Sequence, residues 1–165
     1  TELERNVTAR GGHVVWARDG GEACKQISEI ILGAGARLAV KSKSMTSEEI
    51  HLNTALEAAG VEAVETDLGE YILQLAGETP YHIIAPALHK TRYDVADLFE
   101  QKLGLPRETE IARQTAQARV VLRRKFLDAE VGITGANFLV ADSGAIVIVE
   151  NEGNGRLSSS APRIH

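Results

Sequence analysis

Apolar and polar positions follow two different periods along this chain, and the switches between them divide it into elements. Leu38, Ala39 and Val40 form a short apolar run that predicts a buried strand, ending on Lys41 and Lys43 interleaved with Ser42 and Ser44. From Thr46 the spacing turns helical: Ile50, Leu52 and Leu56 supply an apolar side, and Thr46 with Glu49 fits a capping box. Residues 61–64 predict a second strand after Gly60, which empties into Glu65, Thr66 and Asp67. Asp67 and Glu70 again have capping-box spacing, opening a short helix through Tyr71, Ile72 and Leu75. Residues 81–85 predict a third strand, followed by Pro86, Ala87, Leu88, His89 and Lys90.

Upstream, Val14, Val15 and Trp16 predict a short strand after a frayed start. Ala23, Ile27, Ile30 and Ile31 predict a helix over 22–32 that Gly33 and Gly35 close, with Cys24 as a small core residue. Downstream, Val95, Leu98, Phe99 and Leu103 mark a helix closed by Gly104 and Pro106. A longer helix runs from Ile111 to Ala129, with Arg113, Arg119, Arg123, Arg124 and Lys125 on a solvated face. Residues 131–141 and 145–149 are β-rich, and Asp142-Ser143-Gly144 between them predicts a hairpin. Residues 150–165 are Gly/Ser-rich and unperiodic, which predicts a loop or a disordered end.

Strands alternating with helices, plus one late hairpin, predict an α/β domain with a mainly parallel sheet and helices on both faces. In such sheets ligands collect at the C-terminal edge of the strands, so Lys41, Glu65 and His89 are expected along one rim. Composition narrows the partners. With 165 residues, 44% hydrophobic and 25% charged, the chain suits one domain with a sizeable core. A net charge of -5 and only 4% aromatic residues argue against a nucleic-acid partner. No apolar run approaches the roughly 20 residues that span a bilayer, and residues 1–12 lack a secretion-signal core, so a cytoplasmic location is expected. Cys24 is the single cysteine, so this chain alone can form no internal disulfide and supply no four-thiolate cluster. No G-x-G-x-x-G follows a strand, and His51, His82 and His89 are too scattered for a metal site.

The candidate chemistry sits where the strands end. Lys41 and Lys43 suit a small carboxylate or phosphate ligand, with Ser44 adding a neutral donor; the plain alternative is a solvated loop. Glu48 and His51 lie three apart on the predicted helix, with His51 as proton carrier and Glu48 orienting it, or as an exposed His beside an acid. Glu65 offers hydroxyl recognition. His89 and Lys90 pair a base with a fixed charge, the division that a 2-hydroxy acid requires. Gly135 and Asn137, in a small-residue stretch with Gly132 and Thr134, allow close approach of a ligand to the backbone or mark a bend in a twisted strand.

The segments VKSKSMTSEEIHLN, ETDLGEYILQLAG, HIIAPALHKTR and GITGANFLVADSGAIVIVENEGNGR, with the opening ERNVTARGGHVVWARD, resemble the lactate-utilisation (LUD) domain family over nearly the whole chain. The resemblance implies a NagB/RpiA/CoA-transferase-like fold and a part in a multi-subunit iron–sulfur oxidoreductase system that oxidises L-lactate to pyruvate, with other lactate-utilisation subunits as partners. It also implies 4Fe-4S clusters in a segment beyond this chain, with none in the chain itself. On this reading residues 1–149 form a LUD domain that is incomplete at its C-terminal side, and 150–165 stand apart. Glu150, at the end of the last predicted strand, resembles the nucleophile of CoA transferases of this fold class, although Glu152 between Asn151 and Gly153 departs from their pattern. Two alternatives stay open: a CoA-transferase or sugar-phosphate-isomerase-like enzyme using Glu150, and a non-catalytic subunit-assembly domain.

Overall fold

The computed structural model describes residues 1–80, 85–150 and 152–165. Its centre is strand β1 (Leu38–Lys41), flanked by β2 (Glu62–Glu65) and β3 (Val131–Ile133) in a parallel sheet of order β2-β1-β3. Parallel neighbours need crossovers long enough to carry helices. The chain leaves β1 through α3 (Met45–Glu49) and α4 (Leu52–Ala58) to reach β2, then returns through α5 (Leu68–Ala76), α6 (Arg92–Leu103) and α7 (Ile111–Asp128) to β3. Helix α2 (Gly20–Gly33) precedes β1.

Alternation along the strands assigns the two faces. Ala39, Ala63 and Val131 pack with Cys24, Ile31, Leu52 and Leu56 from α2 and α4, while Val40 and Val64 pack with Tyr71, Leu122 and Phe126 from α5 and α7. A sheet covered on both sides explains why β1 reads as an unbroken apolar run. A further cluster of Ile72, Phe99 and Ala118 ties α5 to α6 and α7. The expected α/β architecture with a parallel sheet and helices on both faces is therefore present.

The late hairpin is present but shorter. Strands β4 (Phe138–Val140) and β5 (Ala145–Val147) pair antiparallel, whereas residues 131–133 join the main sheet instead. Gly144 turns at φ 69 hard against the Asn6–Val7 peptide, and the Asn6 amide donates to the carbonyls of Ala141 and Asp142 at 2.7 and 3.0 Å. Asn6 lies on α1 (Glu2–Ala9), where a frayed start is predicted; the Thr1/Glu4 capping box forms it, and because no residue of α1 is buried, no apolar period announces it. The strand expected at 14–16 does not form: Val15 and Trp16 are exposed and meet no partner strand among the described residues. The strand expected at 81–85 lies, except for Ala85, outside the described residues.

Among the described residues, 152–165 are not a plain loop. Helix α8 (Asn154–Ser160) packs on β3 so closely that a Cβ on Gly132 would stand 1.6 Å from the Ser158 carbonyl oxygen. Ile164 then bridges Val131 in parallel, accepting from the Gly132 N–H at 2.8 Å. Tertiary packing against a glycine makes this helix, which is why the segment's own composition hides it.

Candidate functional site

The β1 and β2 register places Lys41 beside Glu65 at the C-terminal end of the sheet. Both side chains point to the α4 face, because they lie two residues beyond Ala39 and Ala63. Their ion pair measures 2.9 Å, with the side chains 1% and 7% exposed. The Lys41 ammonium also donates to Ser47 Oγ at 3.1 Å, and the Asn53 amide donates to Glu65 Oε1 at 2.6 Å. Burial pushes the Glu65 carboxyl above its ordinary range, with Lys41 and the Asn53 hydrogen bond partly offsetting it. Ser47 and Asn53 reach this point because the predicted single helix is two. Ser44 caps α3 in place of Thr46, accepting from the Ser47 N–H, and the expected Thr46/Glu49 box is not made. His51 then sits at φ 55, a left-handed conformation costly for a side chain larger than glycine, and redirects the chain into α4. Glu48 and His51 are thus on opposite sides of a break rather than on one helix turn, yet both line the same cavity.

That cavity, of about 370 Å³, opens between α4 and α5 beside Lys41 and Glu65. Glu48 and Glu70 meet on its wall, where Glu48 Oε1 and Glu70 Oε2 are buried without another partner among the described residues and a protonated Glu48 would donate to Glu70. Burial, then the Glu70 contact, push the Glu48 pKa up to about 7. Burial acts against ionisation of Glu70 too, but its bonds to Glu48 and Lys43 outweigh this and hold its carboxyl low. Lys43, 2.8 Å from Glu70 and 30% exposed, forms a partition: Glu70 lines the first cavity and Lys43 the second. Burial lowers the Lys43 pKa, yet the hydrogen bond that its ammonium donates to Glu70 and the charge of that carboxylate outweigh this, for a net rise.

The second cavity, of about 430 Å³, gathers Lys43, Ser44, Gly135, Asn137 and Glu150, which the sequence scatters over more than a hundred residues. Gly135 packs against this loop, and a Cβ there would lie 3.4 Å from Ser44. Asp67 also lines it while capping α5 through the Glu70 N–H. Glu150 accepts from the Arg156 N–H at 2.7 Å and faces its guanidinium at 3.7 Å. His89 and Lys90 lie apart from both groups. Together they clamp Glu78, His89 at 2.7 Å, and Glu78 in turn lines the first cavity, so this pair reaches the rim through a carboxylate.

Sequence reasoning missed Glu70, Asn53 and Ser47 as site residues. The signal was available: acidic Glu65, Asp67 and Glu70 follow β2, basic Lys41 and Lys43 follow β1, and adjacent parallel strands bring such clusters together. Among the described residues no group of three or more His, Cys, Asp or Glu is placed to hold a metal ion. An iron–sulfur cluster does not fit this chain either, since its one thiol, Cys24, is buried and donates to the Ile50 carbonyl at 3.2 Å. No helix among the described residues is long and apolar enough to cross a membrane.

Comparison with known proteins agrees with the motifs. The LUD domain family matches residues 1–165. Lactate utilization protein B of Bacillus thuringiensis (strain Al Hakam) and that of Bacillus cereus (strain B4264) are each 49% identical over 98% of this chain. The chain spans 34% of the length of these relatives. No solved structure matches it. With the family matched from end to end, and close relatives aligned over nearly every residue, the chain belongs to the LUD domain family.

Proposed function

We propose that this chain serves lactate utilisation in the cytoplasm, as the α/β domain of a longer protein in a multi-subunit system that oxidises L-lactate to pyruvate. The observation that carries this reading is the 49% identity with Lactate utilization protein B over 98% of the chain. The cysteine-bound 4Fe-4S clusters implied by the family would belong to other parts of that protein or to other subunits, because the donor set here does not suit them.

The domain's contribution is to hold a small carboxylate ligand or partner group at the strand ends, in the cavity that Lys43 lines. Lys43 is the partly exposed cation there, Ser44 supplies a hydroxyl donor, and Gly135 and Asn137 line the same cavity. The two acids nearby are engaged, Asp67 as a helix cap and Glu150 against Arg156. Acyl transfer through Glu150 has less support, because the same two contacts with Arg156 tie up its carboxylate.

The test uses the full-length protein in its native strain grown on L-lactate, beside a strain from which the gene is deleted. Lys43→Ala is expected to slow growth on lactate and leave growth on a sugar unchanged. Normal lactate growth of that variant would sink the ligand assignment; normal lactate growth after deleting the whole gene would sink the functional reading itself.

A further inference from the structure

We propose that the outward face of α7 is a docking surface for an acidic, amphipathic helix of a partner subunit, an inference that rests on the multi-subunit reading of the lactate-oxidising system. Helix α7 buries one stripe, Gln114, Ala118, Leu122 and Phe126, toward the sheet and its neighbouring helices. On the opposite side Arg113, Ala116, Val120, Arg123 and Leu127 are exposed, Val120 by 70% and Leu127 by 67%. Their spacing alternates between three and four residues, the repeat with which one helix lays a seam along another, over about 21 Å of helix axis. Charge on this helix is segregated as well. Five of the chain's 18 basic residues and one of its 23 acidic residues lie on α7, a net +4 there against -9 over the rest. Three of these cations are met, Arg113 by Glu108 and Glu110, Arg124 by Asp128 and Lys125 by Glu62. Arg119 and Arg123 have no ion pair among the described residues. They stand one turn apart and repel each other, and the positions three and four residues from either hold no acid. A face that serves only solvation gains from acids at that spacing, so these two cations are left for negative charge from outside.

The pattern selects among occupants. A second copy docking through the same face would set these arginines against themselves. Nucleic acid would meet the net -9 of the rest of the chain, and the exposed seam offers no aromatic side chain for a base to stack on. A membrane surface requires a continuous apolar face with a basic rim, whereas Val120 and Leu127 are the large apolar residues of this seam and Arg123 lies between them. An acidic helix satisfies both features at once. Its apolar residues pack on Val120 and Leu127 beside the small Ala116, and carboxylates at its flanking positions reach Arg119 and Arg123, the arrangement by which charge beside a seam fixes the choice of partner.

The test places a benzophenone amino acid in place of Val120 in the full-length protein, in its native strain grown on L-lactate, with the same group in place of the exposed Glu29 on α2 as control. Illumination is expected to join the first position, and not the second, to one other polypeptide, at a segment where Asp or Glu flanks apolar residues three and four apart. Arg119→Glu together with Arg123→Glu is expected to cut the crosslinked fraction about tenfold. Lysines in place of the acids of the captured segment are expected to restore most of it, a rescue that a misfolded variant could not show. A crosslink that survives the charge reversal, or that the lysines fail to restore, overturns the proposal. So does the absence of a crosslink, or one to lipid, to nucleic acid, to a second copy or to another stretch of the same chain. Growth of the gene-deleted strain on lactate tests the functional reading separately: normal growth would remove that reading, while a charge-dependent crosslink would still establish the docking face.

Discussion

The end of the central sheet and the β4–β5 hairpin invert the usual division of residues in opposite ways. At the sheet end a lysine and three glutamates are wholly or partly buried; in the hairpin Phe138, Leu139, Ile146 and Val147 are exposed, Phe138 by 65%. Burying charge is costly unless it is paired, and here Lys41 pairs with Glu65 and Lys43 with Glu70, while Glu48 is left with a raised pKa beside Glu70. Exposing apolar residues costs little locally, and among the described residues the strands of the hairpin pair only with each other, Phe138 opposite Val147 and Leu139 opposite Ile146, while its turn is held by Asn6. The comparison teaches that stability and chemistry are concentrated in the first region, while the second is nearly neutral to the fold.

The largest effect is expected where that contrast is sharpest. Lys41→Met leaves Glu65 buried without its cation and should cost about 3–5 kcal/mol, read from denaturant unfolding. Glu65 already has a raised pKa, so its contribution is present at low pH and lost as pH rises; the variant's deficit should therefore grow from acid toward neutral pH. Adding Glu65→Leu should recover most of the loss. A Lys41→Met protein as stable as wild type would remove the pair from the stabilising core. Next in size is Gly132→Ala, on the strand that carries α8. Its Cβ would sit 1.6 Å from the Ser158 carbonyl, forcing α8 off the sheet at about 3 kcal/mol, with faster hydrogen exchange along 154–160 as the signature.

Those two positions also show what a sequence exposes and what it hides. The β1 run and the polar residues that follow it are legible because a doubly covered strand must be apolar throughout and must end where solvent or ligand begins. Helix α8 is not legible, because it depends on the absence of a side chain at Gly132, more than twenty residues earlier in the chain. Lys43, Ser44, Gly135, Asn137 and Glu150 are recognisable individually, and the fold does bring them together. His89 and Lys90 are recognisable too, but Glu78 claims both, and no spacing rule foretells a partner that arrives from the end of a different helix. Glu70 passes for a capping residue because its spacing from Asp67 explains it so well; the Asp67 cap is indeed made, while its side chain turns inward to Lys43.

A smaller effect sharpens the comparison from inside the site. The Glu48 pKa rises from 4.5 to about 7 on folding, so its contribution to stability is complete below about pH 4.5 and lost as pH climbs through 7. Glu70 acts in the opposite sense: held low, it stabilises above its unfolded value and loses that contribution as pH falls through its folded one. Glu48→Gln keeps the hydrogen-bonding shape without the titration. It should flatten the stability profile between about pH 5 and 8, and at the upper end the variant should be about 1 kcal/mol more stable than wild type, after allowing for solvent screening of a half-buried group. An unchanged slope would mean that the carboxyl pair does not share its proton.

The smallest effect belongs to the hairpin. Phe138→Ser removes a large apolar side chain, which in a core would cost several kcal/mol, yet here it should shift stability by no more than about 0.5 kcal/mol, because most of its surface already meets water. What it does lose is a cross-strand contact with Val147, worth a few tenths of a kcal/mol by general experience. The core control is Leu56→Ala, fully buried between α4 and the sheet and expected to cost about 3 kcal/mol. Unfolding both variants at two protein concentrations separates folding from association. A Phe138→Ser loss near the Leu56→Ala value, or one that appears only at high concentration, would show that the hairpin is covered in solution, and the two regions would then no longer differ in what they contribute to the fold.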